Sequence, residues 1–83
     1  MSDKEILSKL KNIVEPYVQR IEGLKNFEES TDFLSDLQIN SANLVDVVLD
    51  VEDEFDIEID NESMEGMLTV GDAKSIIKAK MAG

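Results

Sequence analysis

The sequence predicts an all-α fold: a small four-helix bundle with a long first loop and a short third helix. Three observations lead there. Apolar residues recur at the 3.6-residue spacing of an amphipathic helix in three separate stretches. Helix-start residues stand at Asn40-Ser41, at Asp60-Asn61 and at Thr69, where Asp72 follows three positions later. The length of 83 residues fits one domain, 1–83, built on one modest core.

The first helix is expected from Asp3 to about Ile21, because Ile6, Leu7, Leu10, Ile13, Val14, Tyr17, Val18 and Ile21 fall in one arc. Pro16 lies opposite that arc. It cannot donate to the carbonyl of Asn12, so a kink or break is expected nearby, and Gly23 is expected to end the element. Leu24 to Asn40 reads as the long loop, fastened to the core by Leu24, Phe27, Phe33, Leu34 and Leu37. The second helix runs from about Ser41 to Glu54. Residues 55–59 then alternate, with Phe55, Ile57 and Ile59 on one side. A short third helix spans about Asp60 to Gly66, and Met64, Met67 and Leu68 in and just after it read as core-filling residues. The fourth starts at a Thr69 cap and buries Val70, Ala73, Ile76, Ile77 and Met81.

Composition excludes several chemistries. An apolar fraction of 42% suits a folded protein, not a disordered one. Cysteine is absent, so there are no disulfides or thiolate metal sites; histidine is absent too, removing the commonest general base. The N-terminus lacks a signal-peptide pattern, and no apolar run nears the ~20 residues of a membrane span, so a cytoplasmic location is expected. Net charge is −11, and 15 of the 19 acids lie between Asn26 and Ala73, where there is no Lys or Arg. Such a surface repels nucleic acid and attracts basic protein surfaces, with association that weakens as salt rises.

The second helix carries that charge in a definite pattern. At about 100° per residue, Leu44, Val48, Val51 and Phe55 share one face with Val47 beside them. Asn43, Asp46, Asp50 and Asp53 share the opposite face. Ala42, Val45 and Leu49 belong to neither. They form an apolar strip framed by Asp46, Glu52 and Asp53, suited to a partner with a small apolar pocket ringed by Lys and Arg. The competing reading packs Val45 and Leu49 against the first loop or the last helix. Ser41 opens the same helix. If Asn40 is the cap, the Ser41 hydroxyl is spare and points outward; if Ser41 caps, it is occupied. A spare hydroxyl there can carry a phosphodiester, because free N–H groups and the helix dipole favour negative charge.

Over Phe33-Leu34-Ser35-Asp36-Leu37, Asn40-Ser41, Glu52-Asp53-Glu54-Phe55-Asp56-Ile57-Glu58-Ile59 and Thr69-Val70, the chain resembles the acyl carrier protein family. The resemblance spans nearly the whole chain. It implies a four-helix bundle whose interior can shelter an acyl chain, with no catalytic residue of its own. It implies that Ser41 receives 4′-phosphopantetheine from coenzyme A by a phosphopantetheinyl transferase with magnesium, and that the arm's thiol carries acyl groups as thioesters. The implied partner surface is Val45, Asp46, Leu49, Glu52 and Asp53, flanked by Asn40 and Ala42 and read by basic faces of acyltransferases or synthases. A monomer is expected. The family's hallmark Asp-Ser-Leu is Asn-Ser-Ala here, which points to a specialised carrier for a fatty acid, lipid, polyketide or peptide intermediate. Two other readings stand beside it. An EF-hand loop from Asp56 fails at its twelfth position, Met67, where a bidentate Glu is needed. An unmodified acidic interaction module with the carrier fold is the alternative function.

Overall fold

The computed structural model describes residues 2–82. Helix α1 (Asp3–Val14) begins where the Ser2 hydroxyl accepts the Glu5 N–H at 3.2 Å. It buries Ile6, Leu10 and Val14, roughly 1.5–3 kcal/mol for each apolar side chain removed from water. The helix stops seven residues before the expected Ile21. Pro16 is the reason: a 3-10 turn over Glu15–Tyr17 takes up the break, and the backbone is extended at Val18. Beyond it lies a separate five-residue helix, α2 (Ile21–Lys25), inside what the sequence reads as the helix end and first loop. Ile21 is 69% exposed and takes no part in the core.

Gly23 does not terminate a helix; it sits in the middle of α2. A Cβ there would lie 2.6 Å from both the Asp36 carbonyl oxygen and the Leu37 side chain. Its small size lets α2 lie directly on the loop that follows. That loop, residues 26–40, is anchored by Phe33, Leu37 and Ile39, all buried, while Leu24 and Phe27 are half-buried. Leu34, expected as an anchor, faces solvent. Local bonds hold the loop's shape. Asp32 accepts the N–H groups of Leu34 and Ser35 at 2.8 and 2.9 Å, and the buried Thr31 hydroxyl accepts from Glu28 N–H and donates to the Asn26 carbonyl.

Helices α3 (Ser41–Phe55), α4 (Asn61–Glu65) and α5 (Val70–Ala82) complete the architecture, with α1 packing on both α3 and α5. The helices expected from sequence are α1, α3, α4 and α5, so the all-α bundle stands with α2 added. Asp56 ends α3 in the left-handed region at φ 53°, a conformation Asp tolerates better than most residues. Asp60 caps α4, accepting the Ser63 N–H at 2.9 Å. Thr69 and Asp72 form a reciprocal capping box at 3.1 Å in each direction, so Asp serves where Glu is usual.

The start of α5 also ties down the long loop. Phe33 N–H donates to the Leu68 carbonyl, Val70 N–H to Thr31 and Gly71 N–H to Glu29. Lys74, mostly buried, adds ion pairs to Asp3 and Glu29. Met67 is fully buried and Met64 half-buried, whereas Leu68 and Met81 face solvent instead of the core.

Two exposed carboxylates carry a pH signature. Hydrogen bonds from Ser63, then the Lys80 charge, hold Asp60 below the ordinary value of 3.8. Hydrogen bonds from Lys78 and then Lys74 do the same to Asp3. A carboxylate whose folded pKa is depressed contributes stability that is fully present above its unfolded value and lost as pH falls through the folded one. Acidification below about 4 should therefore release the α4 cap and the α1–α5 ties. An NMR titration should show the Ser63 amide shifting there, with no such transition in Asp60→Asn.

Candidate functional site

The site is assembled where the long loop enters α3. Ile39 is buried and its N–H donates to the Phe33 carbonyl at 3.0 Å, which fixes the chain just before the helix. Asn40 then adopts extended backbone angles and caps α3, its side-chain oxygen accepting the Asn43 N–H at 2.8 Å. Ser41 is therefore the first residue inside the helix. It is exposed, and among the described residues its hydroxyl takes part in no hydrogen bond. Of the two readings open from sequence, the structure has the one in which the hydroxyl is spare.

The strip beside it is also open. Ala42 is exposed, Val45 is 45% exposed and Leu49 is 53% exposed, so neither of the latter packs under the loop or the last helix. The opposite side of α3 delivers Val47, Val48, Val51 and Phe55 to the core.

The acids on α3 are not equivalent. Asp46 and Asp53 are exposed and, among the described residues, have no hydrogen bond or ion pair. Asp50 accepts the Tyr17 hydroxyl at 2.8 Å, and this bond, followed by desolvation, raises the tyrosine's pKa above its usual 10.0. Glu54 pairs with Lys9 of α1 at 3.2 Å. Glu52, read from sequence as part of the partner surface, is half-buried, and its carboxylate accepts the Ile59 N–H at 2.8 Å. It braces the segment between α3 and α4. No spacing rule reveals that role, because the path of residues 56–59 decides it.

Chemically, the arrangement offers an accessible alcohol at a helix start, an adjoining apolar strip and two unpaired carboxylates. No group of three or more Asp, Glu, His or Cys is placed to hold a metal ion among the described residues. No helix is long and apolar enough to cross a membrane among the same residues.

Comparison with known proteins decides the family. The profile described as the phosphopantetheine attachment site matches residues 10–75. The chain belongs to the acyl carrier protein family. It is 38% identical to the acyl carrier protein of Lactobacillus acidophilus, over 95% of this chain and 96% of that one. It is 40% identical to that of Prochlorococcus marinus, over 96% and 98% respectively. Among solved structures, the acyl carrier protein from Enterococcus faecalis superposes with a TM-score of 0.78 at 29% identity, covering 96% of this chain and 99% of that one. An acyl carrier protein is a carrier and not a catalyst, and its working group is a covalently attached 4′-phosphopantetheine.

Proposed function

We propose that Ser41 carries the 4′-phosphopantetheine arm and that this carrier delivers acyl intermediates within a specialised lipid or polyketide pathway. The observation that carries the reading is the division of labour at the α3 start: Asn40 caps, and Ser41 is left exposed with a spare hydroxyl. When bound, the arm supplies a terminal thiol that holds acyl groups as thioesters. The chain's own residues present the attachment oxygen, offer free N–H groups to the phosphate, and orient visiting enzymes through Val45, Leu49, Asp46 and Asp53. Asn40 and Ala42 stand where the family has Asp and Leu, removing one charge and one apolar contact next to the serine. That altered motif supports a dedicated pathway.

Incubation with coenzyme A, magnesium and several phosphopantetheinyl transferases, read by intact mass, tests the assignment. A mass gain is expected with at least one transferase. No gain with any of them would favour an unmodified acidic interaction module. The mass of the protein purified from its native host would report the cargo directly.

The two unpaired acids give a further expectation. Asp46→Lys with Asp53→Lys should slow acyl transfer by about tenfold and flatten its salt dependence, because both charges stand free to meet a basic partner. The helical circular dichroism should be unchanged. Stopped-flow kinetics at two salt concentrations would check this, and equal rates would place docking elsewhere.

A further inference from the structure

The chain's few cations are unevenly employed. Of eight basic residues, Lys9, Arg20, Lys74, Lys78 and Lys80 each pair with a carboxylate among the described residues. Lys4, Lys11 and Lys25 have no such partner among those residues, and all three are exposed. These three line one groove between α1 and α2, whose floor is Leu7, Leu24 and Phe27, each half-buried. No carboxylate lines this groove, whereas the four other surface grooves described each have at least two.

The groove lies on a different face of α1 from the one that ion-pairs with α3. Lys4, Leu7 and Lys11 form one stripe on α1 by helical spacing. Lys9 lies about 150° round the helix from that stripe, and it is Lys9 that reaches Glu54 of α3. So an apolar floor with a cationic rim that makes no ion pair among the described residues occupies a flank of α1 well away from its Lys9–Glu54 tie to α3, in a chain of net charge −11.

We propose that this groove docks an acidic amphipathic helix of a partner protein. Lys4 and Lys11 stand seven residues apart, about 10.5 Å along the axis, and carboxylates two turns apart on a partner helix have the same spacing. Leu7, Leu24 and Phe27 receive the partner's apolar stripe, and Lys25 reaches it from the α2 side. An anionic membrane fits less well. It extends beneath the whole protein and meets its carboxylates, whereas a short helix presents its charge to the three lysines, with the remaining field screened beyond about 8 Å at physiological salt. The carrier then has two faces of opposite sign: one for enzymes that visit, one for a protein that holds it.

The test uses the full chain and a fluorescein-labelled synthetic helix of Leu, Glu and Gln, with Glu at seven-residue spacing beside a Leu stripe. A scrambled peptide of equal composition is the control. Fluorescence anisotropy should show saturable, salt-sensitive binding, and amide shifts should centre on Leu7, Leu24 and Phe27. Lys4→Glu/Lys11→Glu/Lys25→Glu should weaken binding by on the order of tenfold or more. Lys4→Gln/Lys11→Gln/Lys25→Gln should weaken it less, and Lys9→Gln, on the other flank, should leave it unchanged. Equal binding of the scrambled peptide, shifts confined to other faces, or no lysine-dependent binding would overturn the proposal. Lysine-dependent flotation with phosphatidylglycerol vesicles in place of peptide binding would also overturn it, in favour of a membrane surface.

Discussion

Ser41→Ala should abolish all mass gain from coenzyme A while leaving the fold as stable as before. Both halves follow from the α3 start. The hydroxyl is the proposed attachment oxygen, so its removal leaves no acceptor, and no neighbouring serine occupies the same helix position. The cap belongs to Asn40, whose side chain holds the Asn43 N–H, so the substitution removes no hydrogen bond among the described residues. Exposed substitutions away from such features usually stay within about 0.5 kcal/mol. Asn40→Ala is the matching control. It removes the cap at a cost of about 0.5–2 kcal/mol and keeps the acceptor oxygen. Intact mass and urea denaturation on both variants would separate the two roles. Modification persisting in Ser41→Ala would move the site elsewhere.

Phe33→Ala should be the most damaging substitution in the loop, with a loss of about 3–5 kcal/mol. The ring is fully buried, its N–H donates to Leu68 at the end of the α4–α5 connection, and its carbonyl accepts from Ile39 one residue before the cap. A domain of this size has roughly 5–15 kcal/mol in total, so about half of it is at stake. The urea midpoint should fall with little change in slope. Modification at Ser41 should slow as well, because the loop that aims the helix start has lost its anchor. Leu34→Ala, one residue on and exposed, should move the midpoint by about 0.5 kcal/mol or less. Similar losses for the two variants would mean that the loop is held by its backbone bonds alone.

Much of this was legible from side-chain spacing. The core face of α3 and the open strip of Ala42, Val45 and Leu49 follow from 3.6-residue geometry, because a helix has only one way to turn its residues. The Asp60 cap and the Thr69–Asp72 box follow from local hydrogen-bond chemistry. What escaped depended on distant backbone. Gly23 reads as a stop in sequence, but its small size answers to Asp36 and Leu37, thirteen and fourteen residues away. Ile21 continues the apolar arc on paper, yet Pro16 breaks the helix before the arc can reach it. Glu52 looks like one more surface acid until the returning chain brings the Ile59 N–H to it.

The first turn of α3 contains no acidic side chain, and the residue before it is an uncharged amide. The positive pole of that helix thus has no built-in counter-charge, unlike that of α5, where Asp72 lies in the first turn. An anion fixed at this pole gains about 0.3–1 kcal/mol from the dipole. A phosphodiester on Ser41 would be the anion the pole lacks, so the proposed modification would also reinforce the helix that carries the proposed docking strip.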